Sequence, residues 1–488
     1  MGSKKTLDGE LKRRGLISTL SLFFQSGYSA LLGFVANLII TILLSPKVFG
    51  LYIAVLSIIA FLNYFSDIGL AASIIQKKEI HDDDIKTTFT VQQLLIISLV
   101  LIGFFATKFI ASFYNLPQAG IYLYWALLAG FFISSLKTIP SILLERSIQF
   151  QKIVFVQIVE NTVFYTAVSI LAIMGFGISS FTIAVLLRSV VGLILMYSIS
   201  FWMPRIGISL RSLRTLLSFG VPFQASSFLA IFKDDLIILY LGKVLGFEAL
   251  GYIGWAKKWA DAPIRIVMDN VNKVIFPLIA RVQDDMKKVP QLFNKILYYQ
   301  SLILIPIFIG MIMVMKPFLT IIPNYQKWVS ALPLLYIFCV SSLILSFFAP
   351  FMNLFNALGK VKLSFSFMAL FTLVIWAFTP LLTSQFGLFG FPLAHLFVSI
   401  SFVGTAIAAQ RLVEIDILKP TLRFLIAGAV MGLGLYLVIN YVGTDSKIFI
   451  LSLPFFGLAL YMITLRTMKV AIFSEMKKFI SIMKKSNK

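Results

Sequence analysis

The chain is poor in the residues that do covalent chemistry. Among 488 residues there are one cysteine, Cys339, and two histidines, His81 and His395. A single cysteine excludes an intrachain disulfide. Two histidines far apart in sequence, with no cysteine cluster beside them, lack zinc-ligand spacing. No metal and no other cofactor is expected. Charge is scarce too, at 13% against about 25% in an ordinary soluble domain. Loops between apolar blocks are about 15 residues or shorter, which leaves no room for a soluble catalytic domain. No G-x-x-x-x-G-K-[ST] loop occurs, so ATP-driven transport by this chain alone is not expected. The chain does not read as an enzyme.

Apolar residues are abundant instead, at 59%, with a mean hydropathy of +0.95. They recur in blocks of about 20–30 residues, each long enough to cross about 30 Å of hydrocarbon as a helix. This excludes a soluble enzyme, a secreted disulfide scaffold and a disordered chain. The fold class is all-α: a polytopic membrane protein of about fourteen transmembrane helices. The blocks are 15–44, 49–74, 88–111, 120–144, 153–175, 177–201, 215–242, 248–281, 293–315, 329–356, 361–384, 386–410, 420–441 and 446–466.

An even number of spans places both termini on one side. The formal net charge of +22 decides which, because the cations collect in alternate loops. With the termini in the cytoplasm, inward segments carry 29 of the 42 Lys and Arg and outward loops carry 6: Lys47, Lys108, Lys243, Lys316, Lys327 and Lys447. Lys4, Lys5, Lys12, Arg13 and Arg14 precede the first block with no small-residue cleavage signal, so an uncleaved first span is expected. Residues 203–214 and 467–488 mix cations with apolar residues, as a helix lying on anionic lipid would, or as an ordinary loop and tail could.

Internal symmetry is visible. NLIITILLSPKVFGLY, from Asn37 to Tyr52, aligns with DLIILYLGKVLGFEALGYI, from Asp235 to Ile253. The second carries a three-residue insertion, and Asn37 pairs with Asp235 and Gly50 with Gly251. The offset of six spans makes the halves parallel repeats. The expected organisation is an N-terminal lobe at 1–202, a basic linker at 203–214, a C-terminal lobe at 215–410, two appended spans at 411–466 and a basic cytoplasmic tail at 467–488.

Charges at bilayer depth cost about 2.5–3.5 kcal/mol each on insertion scales, so they mark a bundle interior or a watery cavity. Most lie in spans 7 and 8. Lys257, Asp261, Arg265, Asp269 and Lys273 step by four with alternating sign and wind slowly along one helix side. With Lys258, four cations face two carboxylates, a surplus suited to a phosphate-bearing ligand. Lys233, Asp234 and Asp235 stand in span 7. The candidate binding cations are Lys233, Lys257, Lys258, Arg265 and Lys273; the candidate ion-coupling carboxylates are Asp234, Asp235, Asp261 and Asp269. Gln25, Asn37, Asn63, Lys137, Glu160, Asn161, Arg188, Asn353 and Asn356 are further polar residues within the spans. Interhelical hydrogen bonds are expected for the amides. Lys137 and Arg188 could snorkel or line a cavity, and Glu160 could pair or carry a proton.

Ordered segments resemble a known family. FGLYIAVLSIIAFLNYFSDIGLAASIIQKKE (Phe49–Glu79) resembles the second span and following loop of bacterial polysaccharide flippases. LGFEALGYIGWAKKWADAPIRIVMDNVNKVIFPLIARVQDD (Leu245–Asp285) resembles their eighth span, LLSFGVPFQASS (Leu216–Ser227) their seventh, and NLFNALGKVK (Asn353–Lys362) their tenth-to-eleventh turn. The match is to the Wzx-type branch, resembling colanic-acid and teichuronic-acid exporters. The resemblance implies the multidrug/oligosaccharidyl-lipid/polysaccharide exporter fold, two six-helix lobes plus two C-terminal helices. It also implies a function, turning over an oligosaccharide on undecaprenyl pyrophosphate across the bacterial cytoplasmic membrane. The implied partners are that lipid-linked oligosaccharide, membrane lipids, H+ or Na+ as coupling ion and polysaccharide assembly proteins, with no nucleic acid. By position, it assigns cavity roles to Lys257, Lys258, Arg265, Asp235 and Asp261. The alternatives are a cation-coupled multidrug antiporter on the same scaffold and, with less support, a membrane-embedded polysaccharide polymerase or ligase.

Overall fold

The computed structural model describes the backbone of residues 2–77, 79–283, 285, 287–442 and 446–470. Side chains are described for these except 2–20, 22–23, 222–223, 225–234, 269–274, 276–277 and 420. Among the described residues every regular element is helical. In hydrocarbon an unpaired peptide N–H or C=O has no water to turn to, and a helix satisfies both within itself. Eighteen α-helices follow in order: α1 Gly2–Leu43, α2 Pro46–Tyr64, α3 Leu70–Gln76, α4 Asp82–Phe105, α5 Thr107–Tyr114, α6 Gln118–Ser135, α7 Thr138–Arg146, α8 Phe150–Ile173 and α9 Ser179–Ile199. Then come α10 Leu210–Val282, α11 Lys288–Ile321, α12 Leu332–Ser346, α13 Phe348–Ala357, α14 Val361–Phe386, α15 Gly390–Ile400, α16 Phe402–Leu412, α17 Leu418–Val442 and α18 Lys447–Thr467.

Among the described residues twelve stretches are long and apolar enough to cross a membrane. Two of them cover a pair of expected spans. Asp235–Met268 runs through Gly246, whose φ of 79° is left-handed, and Val361–Leu412 runs through Gly387, with φ 53°. A residue with a Cβ is strained in that region, so each glycine lets the chain leave the helix abruptly. The chain folds back at both. A Cβ on Gly242 would lie 3.4 Å from Leu250 Cδ2, far closer than eight residues of straight helix allow. Gly390 likewise presses on the backbone of Thr383. Breaking the two stretches there recovers fourteen passes. Helical dihedrals continue past Pro263 and Pro277, so the break falls at Gly246 rather than at either proline.

The stretch 201–209 is not helical. A lipid-lying helix was one expectation for 203–214, and only the residues from Leu210 onward adopt helix. The backbone N–H groups of Gly207 and Ser209 donate to Thr90 Oγ1 at 3.0 Å and Thr87 Oγ1 at 2.9 Å. Arg205 reaches Asp82 at 3.3 Å. The threonines of α4 thus take up donors that would otherwise seek a helix. Residues 471–488 of the expected tail lie outside the described residues. Before α11, Asp285 accepts from the Lys288 ammonium at 2.9 Å and from the backbone N–H groups of Lys287 and Lys288. The ammonium first, then the backbone donors, hold its carboxyl below the usual range.

The chain divides into two compact units, residues 1–255 with 368–394, and residues 256–367 with 395–488. In the first, α1 and α8 are bonded by their polar residues. Gln25 bonds Gln157, Tyr28 OH lies 2.8 Å from Thr162 Oγ1, and Asn161 donates to Ser29 at 3.4 Å. This is the interhelical role expected of Gln25 and Asn161. A small core of Leu70, Ile74, Phe89, Ile139, Ile142 and Leu216 ties α3, α4, α7 and the start of α10 together. In the second unit one core gathers Phe293, Phe351, Phe355 and Val413, and another seats α11 against α17 and α18 through Ile305, Phe424, Met431 and Leu453.

The two copies of the internal repeat touch within the first unit. The helix after each hairpin begins at an equivalent place, Pro46 after Ser45 and Phe247 after Gly246. A Cβ on Gly50 would overlap the Phe247 carbonyl and lie 2.6 Å from the Gly251 nitrogen; one on Gly251 would overlap the Pro46 carbonyl. Under the sequence pairing Gly50 matches Gly251, and Pro46 matches Phe247. The contact is therefore reciprocal, as across a two-fold axis. Ile53 and Gly254, also equivalents, meet one turn further on. At the far end of α2 the backbones of Gly69 and Gly220 meet, Ser73 donates to the Leu216 carbonyl at 2.7 Å, and the Gln224 amide donates to the Tyr64 carbonyl at 2.9 Å.

Alanine at Gly50 or Gly251 must push backbone apart, which costs about 1–3 kcal/mol by overpacking. Gly50→Ala and Gly251→Ala are each expected to lower the thermal midpoint of the purified protein. Gly27→Ala, where a Cβ meets nothing within 4 Å, is expected to leave it unchanged or raise it.

Candidate functional site

The charges of span 8 differ in pairing and exposure along α10. Lys257 Nζ lies 3.0 Å from Asp261 Oδ2, one turn on. Asp261 Oδ1 is 3.5 Å from Ser342 Oγ of α12, and Lys257 Nζ is 6.0 Å from the ring of Phe338, one turn before Ser342. Beside them Ser341 Oγ meets His395 Nδ1 at 3.3 Å, and Phe338 meets the His395 ring edge-on. This face of the second unit is a paired, hydrogen-bonded wall. Lys258 and Arg265 are exposed. Seven residues apart, they stand two turns from each other on one side of the helix. Asp235 is half-buried. The side chains of Lys233, Asp234, Asp269 and Lys273 fall outside the described residues.

The first unit contains a cavity of about 340 Å³ that the span 7–8 cluster does not reach. It is built from helical stripes. On α2, Tyr52, Leu56, Ile59, Ala60 and Asn63 repeat at three- and four-residue steps and so share a face. Gly130, Phe131 and Ser134 come from α6, Glu160 and Phe164 from α8, and Val185, Arg188 and Ser189 from α9. Lys137 sits at the break between α6 and α7, where Tyr197 OH donates to the Leu136 carbonyl at 3.1 Å.

Three charges enter this hollow. Lys137 pairs with Glu160, whose side chain is only 5% exposed. The carboxylate fits because α9 has Gly192 opposite it: any Cβ there would overlap Glu160 Oε1. Gly130 does the same for α6, where a Cβ would stand 2.8 Å from Ser189 Oγ. Arg188 is exposed to the cavity, with its guanidinium carbon 5.8 Å from the centre of the Phe164 ring. Glu160 is the only carboxylate among the described lining residues. Two cations against one carboxylate leave the hollow a formal charge of +1. Tyr52 forms an aromatic wall, stacked on Phe181 at 3.9 Å between ring centres.

Sequence reasoning singled out Lys137, Glu160 and Arg188 one at a time with their roles open, and expected Asn63 to make an interhelical hydrogen bond. The structure brings them together. The cluster was hard to see because each helix contributes one charge, whereas the span 8 series shares one helix and shows as periodicity. The usable signal was that three neighbouring spans each carry one interior charge, two positive and one negative.

The family description "Polysaccharide biosynthesis protein" matches residues 39–333, more than half of the chain. The chain belongs to this family. The match takes in the first-unit cavity and the reciprocal glycines of the two repeats. The chain is similar to the lipopolysaccharide biosynthesis protein WzxC of Escherichia coli (strain K12), 27% identical over 345 residues, covering 69% of this chain and 68% of that one. It is also similar to the teichuronic acid biosynthesis protein TuaB of Bacillus subtilis (strain 168), 24% identical over 303 residues, covering 61% and 62%. The fold is that of the lipid II flippase MurJ in an inward closed conformation, with a TM-score of 0.73 at 16% identity over 92% of this chain and 98% of that one. The family member described here is thus a polytopic helical membrane protein, as the apolar blocks required.

Removing one partner of a buried ion pair costs about 3–5 kcal/mol, because the other charge is stranded. Lys137→Met is expected to lower the thermal midpoint sharply. Lys137→Met combined with Glu160→Gln is expected to recover much of the loss. A double variant no more stable than Lys137→Met would show that Glu160 is not held by Lys137.

Proposed function

We propose that the chain is a flippase that turns over an oligosaccharide linked to undecaprenyl pyrophosphate across the bacterial cytoplasmic membrane, with both termini in the cytoplasm. The observation that carries this reading is the pair of cations Lys258 and Arg265, exposed two turns apart on one face of an intramembrane helix. A cation at that depth is costly unless water or an anion reaches it. A diphosphate headgroup supplies the anion. Family membership and the names of the relatives agree with a role in surface polysaccharide assembly.

The barrier to be overcome is moving a charged, hydrated head through hydrocarbon, so no bond need be made or broken. Alternating access by the two lobes, 1–202 and 215–410, provides the path, with the lipid tail left in the bilayer. On the charge-rule orientation the reciprocal glycine contact lies at the outer end and the Gly69–Gly220 contact at the inner end. In this mechanism the two contacts open in turn. Asp234, Asp235, Asp261 and Asp269 are the carboxylates proposed to couple turnover to H+ or Na+. Protonation of Asp261 would release Lys257 from its pair. A multidrug antiporter for cationic compounds fits less well, since both intramembrane charge sites are net positive.

Lys258→Ala combined with Arg265→Ala is expected to abolish most surface polysaccharide at normal protein level. Lipid-linked intermediates should accumulate inside the cell. Normal export by the double variant would overturn the assignment of these cations to the headgroup.

A further inference from the structure

We propose that the first-unit cavity is a second, separate binding site, and that it takes one carboxylate-bearing sugar ring, a hexuronate, of the transported oligosaccharide. This rests on the flippase reading above and adds the chemical class of the sugar. The charge count comes first. Lys137 is occupied by Glu160, so Arg188 alone is left to meet a ligand, and the hollow as a whole carries +1. One surplus charge matches a single carboxylate. A diphosphate, with at least two negative charges, would stay under-neutralised in a site walled by apolar side chains. The arginine fork also suits a carboxylate in two-point contact.

The walls come second. Phe131, Phe164 and Tyr52 bring aromatic rings to the lining, and Ser134, Ser189 and Asn63 bring hydroxyl and amide groups. A sugar ring has apolar C–H faces and hydroxyls round its edge, and this lining offers a counterpart to each. The volume of about 340 Å³ lies at the small end of ligand pockets, room for a ring or two rather than a repeat unit. Arg188 stands over Phe164, which positions its charge beside an aromatic face. Gly130 and Gly192 keep the walls in place by letting α6 and α8 close on α9.

The test uses the full chain, purified into lipid nanodiscs, and three probes: digalacturonate, its dimethyl ester and inorganic pyrophosphate. Binding is read by calorimetry. Digalacturonate is expected to bind at least tenfold more tightly than the uncharged ester, a comparison that needs no variant. Arg188→Gln should erase that difference, and Arg188→Lys should restore part of it. Equal binding of acid and ester would overturn the proposal, as would no binding of either. Arg188-dependent binding of pyrophosphate without digalacturonate would overturn it in favour of the carrier's phosphates. The flippase reading fails by a different sign, normal export and unchanged lipid-linked intermediates when the gene is deleted. The two failures are therefore distinguishable.

Discussion

A charge inside a bilayer has to be paired or wetted, and this requirement organises the molecule. Helices settle the backbone, since each peptide group finds its partner within its own segment. The side-chain charges then have to be placed. Glu160 is buried and held by Lys137; Asp261 is held by Lys257 and touched by Ser342. The cations exposed beside these pairs are Arg188 in one unit and Lys258 and Arg265 in the other. A cation exposed at bilayer depth is costly without water or an anion beside it, and the proposed function supplies an anion.

Glycine performs a second task. In water, apolar helices are driven together; in lipid they need close fit, and small residues allow it. Gly50, Gly251, Gly69 and Gly220 let backbones meet directly, while Gly192 makes space for a carboxylate rather than for a helix. Loss of a methyl group thus serves packing in one place and electrostatics in another.

Much of this was legible in the sequence. Apolar blocks gave the passes because block length and bilayer thickness are tied by helical rise. The repeat was legible as well, and its pairing of Gly50 with Gly251 joined residues that prove to be in contact. The contrast on α10 between the paired Lys257 and Asp261 and the exposed Lys258 and Arg265 was half legible. The i,i+4 step of Lys257 and Asp261 announces a pair, but only neighbouring helices decide which side is sealed. The first-unit cavity was not legible, because it depends on which faces of α2, α6, α8 and α9 converge. Single charges on separate helices carry no periodicity. Composition left a lipid-lying helix and an ordinary loop open for 203–214 for a related reason: Thr87 and Thr90 of α4 capture the backbone of Gly207 and Ser209, and that competition is absent from local composition.

The join between the two hairpins has a property that ordinary side-chain packing lacks. Each copy of the repeat seats its carbonyl in the notch left by the other's glycine. A sideways slip by one residue would unseat both at the same moment, and no intermediate register offers a second notch. Such a clasp is digital: fully fastened or fully undone. Because both halves of it descend from one pattern, a change in either copy faces an unaltered counterpart, and the fit survives only if the two drift together.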